Sequence, residues 1–78
     1  MNNEEKYLNA FCTVFEISPE QAQGLKYQDI AAWDSVGHMG LVNALEDAFD
    51  IMMEPDDIIE LSSFEKGKEI LKKYNVEF

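Results

Sequence analysis

Asp34, Ser35 and His38 lie within five positions of one another and carry, between them, a carboxylate, a hydroxyl and an imidazole. Such a set invites a nucleophilic reading. Ser35 and His38 are three apart and could approach each other on one helix face. A working triad also needs its base held from behind by a third group, with oxyanion donors in a sheltered site. Asp34 directly precedes Ser35 at the start of a helical pattern, where a carboxylate caps backbone N–H groups instead. Hydrolysis is therefore not expected, and no catalytic residue is assigned. With one histidine and one cysteine, Cys12, the chain cannot assemble a multi-ligand zinc site or an internal disulfide. There is no phosphate-cradling glycine loop and no calcium-loop spacing of acids, so no metal site is expected. Cys12 falls in an apolar helical pattern and is expected to pack in the core.

The elements that would position these groups can be read from periodicity. Tyr7, Leu8, Phe11, Cys12 and Phe15 share one face of a helix from about Asn3 to Glu16. Ser18-Pro19-Glu20-Gln21 has the pattern of a capping box, opening one short turn that Gly24 ends. Leu25 to Trp33 reads as a long structured loop, pinned to the core by Leu25, Tyr27, Ile30 and Trp33. A second helix starts at Asp34 or Ser35 and runs to Phe49, with Val36, Met39, Val42, Leu45 and Phe49 as its apolar stripe and Leu41, Ala44 and Ala48 widening it. Pro55-Asp56-Asp57 starts a short third helix through Ile58, Ile59 and Leu61. Ser62-Ser63-Phe64-Glu65 reads as a further capping box, opening a fourth helix that buries Phe64, Ile70, Leu71 and Tyr74. No stretch alternates like a strand. The expected fold is all-α: one domain over residues 1–78, a small four-helix bundle with a long first loop and a short third helix.

Charge narrows the partners. The chain of 78 residues holds 16 acids against 6 lysines and no arginine, for a net charge of -10. Ten of the acids, and no lysine, lie between Gln28 and Glu65. That segment repels nucleic acid and anionic membrane, and attracts basic protein surfaces and divalent cations. Asp50, Glu54, Asp56, Asp57 and Glu60 are the candidate cation contacts. No run is apolar enough to span a bilayer, and the N-terminal residues lack a secretory pattern. A monomer in the cytoplasm is expected.

Asp34-Ser35-Val36, followed by Leu41-Val42-Asn43-Ala44-Leu45-Glu46-Asp47-Ala48-Phe49, resembles the acyl carrier protein family. In that family the serine of an Asp-Ser-Leu/Val motif opens the second of four helices, ahead of a Leu-Val-x-Ala-Leu-Glu-x-x-Phe pattern. The likeness extends back through Ile17-Ser18-Pro19 and forward through Leu61-Ser62-Ser63-Phe64, covering nearly the whole chain. It implies that Ser35 receives 4′-phosphopantetheine from coenzyme A through a phosphopantetheinyl transferase that uses magnesium. The chain would then be a carrier, not an enzyme, bearing acyl thioesters for a fatty-acid, polyketide or other specialised pathway. Trp33-Asp34-Ser35-Val36-Gly37-His38 looks like a subset of stand-alone carriers serving specialised pathways.

The resemblance also assigns neighbouring roles. Asp34 and His38 would flank the prosthetic phosphate; His38 reads first as a surface helix residue, with a hydrogen bond to that phosphate as its functional alternative. Glu46, Asp47, Asp56, Asp57 and Glu60 would meet the basic docking surfaces of acyl-transferring or acyl-activating enzymes. Leu45, Met53, Ile58 and Leu61 would line an acyl cavity. Three positions depart from many fatty-acid carriers. Gly37 and Gly40 stand where those have acids, and Ile58 where they have a small residue. Short or polar cargo is expected from Ile58, and Gly37→Asp with Gly40→Glu is expected to improve service to fatty-acid enzymes. Two other readings fit the residues: a small acidic interaction protein whose Asp34-Ser35 is only a cap, and an aminoacyl or peptidyl carrier.

Overall fold

The computed structural model describes residues 2–78. Its helices follow the apolar periodicity: α1 Asn3–Phe15, α2 Pro19–Ala22, α3 Ser35–Phe49, α4 Pro55–Glu60 and α5 Phe64–Lys72. The architecture is all-α. Five helices stand among the described residues because the turn after Ser18 closes as a separate one-turn helix. Its capping box is complete, with the Ser18 and Gln21 side chains each serving the other's backbone N–H. Asn2 caps α1, accepting from the Glu5 N–H. α1 and α3 both end on left-handed residues, Glu16 and Asp50. At the last helix the cap is Ser63, whose hydroxyl accepts from the Lys66 N–H. The return half of the expected box is missing, because Lys66 and not Glu65 occupies the third helical position.

One aromatic layer organises the core. Tyr7 and Phe11 of α1, Trp33 of the first loop and Phe64 of α5 are fully buried, and Phe15 nearly so. Phe11 meets Tyr7, Phe15, Trp33 and Phe64 with ring centroids 4.9–6.0 Å apart, all edge-to-face. The Tyr7 hydroxyl donates to the Phe64 carbonyl at 2.6 Å and the Trp33 indole N–H to His38 Nδ1, so the two polar side-chain atoms carried into this layer are satisfied. Burial, with Glu65 and Glu4 nearby, pushes the Tyr7 phenol far above its ordinary range. Gly67 makes room for this ring: a Cβ there would stand 2.1 Å from the Tyr7 hydroxyl oxygen. Cys12 is half-buried beside the core, as its helical pattern predicts.

α1 packs along α3, whose buried residues are Leu41, Val42 and Leu45. The stripe read from sequence is only partly right. Val36 and Met39 are 80% and 45% exposed. At 100° per residue, Val36 lies about 140° around the helix from Leu41, so one helix cannot bury both against a single neighbour. The inward line instead passes through Gly37, His38, Leu41 and Leu45, the first two half-buried and the others buried.

The long loop between α2 and α3 is ordered by buried Leu25 and Trp33. Its backbone pairs with the α4–α5 junction: the Tyr27 N–H donates to the Ser62 carbonyl at 2.9 Å, and the Phe64 N–H to the Leu25 carbonyl at 2.8 Å. Lys26 and Ser63 form an isolated antiparallel bridge there. Ile30 is half-buried, whereas Tyr27 stays 37% exposed and only edges Trp33 and His38. No helix among the described residues is long and apolar enough to cross a membrane.

Candidate functional site

Asp34 is the N-cap of α3, its Oδ1 accepting from the Gly37 N–H at 2.8 Å. Ser35 is therefore the first helical residue and is spared the capping task. Its side chain is exposed and makes no hydrogen bond among the described residues. The backbone N–H groups of Ser35 and Val36 belong to the first turn, where no intrahelical acceptor exists. No acid lies within that turn. A hydroxyl placed here points into solvent at the positive end of a 15-residue helix. An anionic ester on it would be stabilised by the same groups.

The backbone beside Ser35 is fixed by a close approach. A Cβ on Gly37 would stand 1.9 Å from the Ala32 carbonyl oxygen and 3.3 Å from Phe15 Cε1. The end of the first loop thus rests directly on the α3 backbone. This overturns the expectation that an acid at position 37 would simply add a docking charge: any side chain there displaces the loop. Gly40 is different, since a Cβ would meet only Val14 Cγ1 at 3.6 Å.

His38 does not face Ser35. Its half-buried ring turns toward Trp33 and α4. The Trp33 indole N–H donates to His38 Nδ1 at 2.9 Å, and His38 Nε2 lies 2.7 Å from the Ile58 carbonyl oxygen. An indole nitrogen only donates and a carbonyl only accepts, so Nδ1 is the bare nitrogen and Nε2 carries the proton. The ring is half-buried and both nitrogens are occupied, which corrects the surface reading of His38 and its alternative, a bond to a phosphate on Ser35. The ring also stacks beside Trp33, with centroids 6.2 Å apart and planes at 15°. A Ser–His couple is absent for the same reason.

Next to this histidine lies a cleft of about 270 Å³, lined by Tyr27, His38, Ile58, Ile59, Leu61 and Ser62. Of the four residues expected to line a cavity, only Ile58 and Leu61 do so. Leu45 and Met53 are buried in the packed core, where dense packing leaves them no free space to share. Tyr27 brings the first loop to its wall.

The expected docking acids divide. Asp47, Asp56 and Glu60 are exposed. Asp57 is turned inward, 7% exposed, and bonds Lys73 Nζ and the Tyr74 hydroxyl, each at 2.5 Å. These bonds, Lys73 first, hold its carboxyl below the usual range against the opposing cost of burial. The same bond raises the Lys73 ammonium. Glu46 is half-buried and its Oε2 accepts from the Met53 N–H at 2.8 Å, closing the turn between α3 and α4. Asp57 and Glu46 are thus structural ties, not free docking charges. Sequence spacing marked all five as one acidic set, because only the tertiary partners Lys73, Tyr74 and Met53 separate them. Among the described residues, no group of three or more acids, histidines or cysteines could hold a metal ion, so the candidate cation contacts do not converge. Burial and the nearby Glu20 raise the Cys12 thiol, which leaves it a poor nucleophile.

Comparison with known proteins adds no relative: no family model, no curated protein and no solved structure matches the chain.

Proposed function

We propose that this protein is an acyl carrier, bearing its cargo as a thioester on a 4′-phosphopantetheine arm esterified to Ser35. The observation that carries the reading is the division of labour at the start of α3. Asp34 caps the helix, and the Ser35 hydroxyl is left exposed and unbonded at the helix N-terminus. A serine that served only as a cap would be the N-cap itself, accepting from the third helical N–H. The neighbouring motif residues supply the family assignment. In this reading α1, α3, α4 and α5 are the four helices of an acyl-carrier-like bundle, with α2 a turn within the long first loop.

The chemistry asked of the chain is modest. Ser35 Oγ offers an accessible nucleophile to a magnesium-using transferase carrying coenzyme A. It would attack the phosphopantetheine-side phosphorus, breaking the phosphoanhydride bond, so that adenosine 3′,5′-bisphosphate leaves. The hydroxyl proton passes to a base of the transferase or to solvent, and the arm remains as a phosphodiester. The helix terminus stabilises the resulting negative charge. The working thiol then belongs to the arm, which agrees with a raised and half-buried Cys12. Exposed Asp47, Asp56 and Glu60 offer basic partner enzymes a long-range attraction suited to quick, reversible encounters.

Intact mass after incubation with coenzyme A, magnesium and a broad-specificity phosphopantetheinyl transferase tests this. The expected result is a gain of one phosphopantetheine by the unmodified chain and none by Ser35→Ala, with both variants equally folded. No gain by the unmodified chain overturns the carrier reading in favour of an acidic interaction protein, and a gain that survives Ser35→Ala overturns the assignment of the arm to Ser35.

A further inference from the structure

We infer that His38 is a proton-operated latch that ties the first loop and α4 to the start of α3 when neutral and, when protonated, lets go of the loop while keeping its bond to α4. One ring makes both ties: it accepts from the Trp33 indole N–H at 2.9 Å and reaches the Ile58 carbonyl oxygen at 2.7 Å. Trp33 belongs to the loop, Ile58 to α4 and His38 to α3. A second proton would have to sit on Nδ1, where it would oppose the indole N–H donor to donor. The imidazolium can keep its bond to Ile58 but must give up Trp33.

Little else in the surroundings competes for that proton. Of the cleft-lining side chains, Tyr27 is the only other titratable one, and it meets the imidazole edge-on with centroids 5.5 Å apart. α4 presents the Ile58 carbonyl with the apolar side chains of Ile58 and Ile59, and Leu61 and Ser62 complete the wall. On its own helix the nearest acid is Asp34, one turn earlier, whose carboxylate is engaged with the Gly37 N–H. Trp33 is fully buried, so an indole N–H deprived of its acceptor has no water to turn to unless the loop shifts. Loop movement opens the cleft beside Ile58. The inference does not require Ser35 to be modified.

The test uses the full chain, labelled with ¹⁵N. Long-range proton–nitrogen spectra report the His38 tautomer, and the Trp33 indole resonance and the amides of 58–61 are followed from about pH 8 to pH 5, the span in which histidine changes charge. The expected result is the Nε2–H tautomer at the alkaline end. The Trp33 indole resonance moves with the same midpoint as His38, and its hydrogen exchange rises about tenfold beyond the intrinsic pH dependence. His38→Gln can still accept from Trp33 and donate to Ile58 but cannot titrate, so in it the midpoint disappears. An Nδ1–H tautomer, an indole resonance indifferent to His38, or the same midpoint in His38→Gln overturns the latch.

Discussion

Two sides of this small protein are held together by different physics. Where α1 meets α5 and the end of the first loop, Tyr7, Phe11, Phe15, Trp33 and Phe64 form a buried aromatic layer. α4 is six residues long and buries mainly Asp57 and, at its end, Leu61. Its ties are polar: Asp57 to Lys73 and Tyr74 on the α5 side, and the Ile58 carbonyl to His38 on the α3 side. Ile59 on its outer face is 78% exposed. Apolar burial acts without direction and is insensitive to pH, whereas a polar tie can be undone by a competing water and, at the Asp57 carboxylate, by one proton. The comparison teaches that the aromatic layer sets whether the chain folds, and that α4 is the element whose position can be altered while the rest stays folded.

The largest expected effect comes from breaking the aromatic layer. Phe11→Ala removes the ring that touches four others and should cost about 3–5 kcal/mol. For a domain of this size that approaches the whole stability, so urea unfolding should show a largely unfolded population in buffer. A mild loss would mean that the layer does not dominate.

The seam between the layer and α3 comes next. Gly37→Ala should destabilise by about 1–3 kcal/mol, since the Ala32 carbonyl is backbone and cannot rotate away. Gly40→Ala should be neutral or stabilising by up to about 1 kcal/mol, because helix propensity is gained where space exists. Chemical denaturation of the pair decides, and equal effects would contradict the close approach.

Loosening α4 should be milder. Its folded-state Asp57 titrates lower than an ordinary carboxyl, so Asp57 stabilises the fold above about pH 4 and that contribution is lost as pH falls through the lower folded value. Asp57→Asn should lower the melting temperature at neutral pH, and the gap to the unmodified protein should narrow as pH falls from about 6 to 3. A gap that widens would refute the tie. Lys73 is largely exposed, which screens the pair and keeps the effect small.

The smallest effect concerns the acidic surface. Added salt should raise the melting temperature slightly by screening the repulsion among the acids between Gln28 and Glu65. Because those acids do not converge on a metal site among the described residues, magnesium at matched ionic strength should do no more than sodium. A specific rise with magnesium would show that α4 can rearrange to gather Asp56 and Glu60.

Much was legible in the residues themselves. Apolar spacing, proline and capping residues set the helices, because helix formation and its termination are local: Ser18, Asp34, Pro55 and Ser63 act on backbone within one turn. Asp34 as a cap and Trp33 as a loop anchor were readable on the same grounds. The tertiary structure alone decided which face of α3 turns inward, leaving Val36 exposed and Leu41 buried. It alone set Asp57 apart from Asp56, occupied both nitrogens of His38, and made Gly37 a contact instead of a missing charge. Each of these depends on a partner distant in sequence, or on the path of the loop, and no local spacing encodes where such a partner will stand.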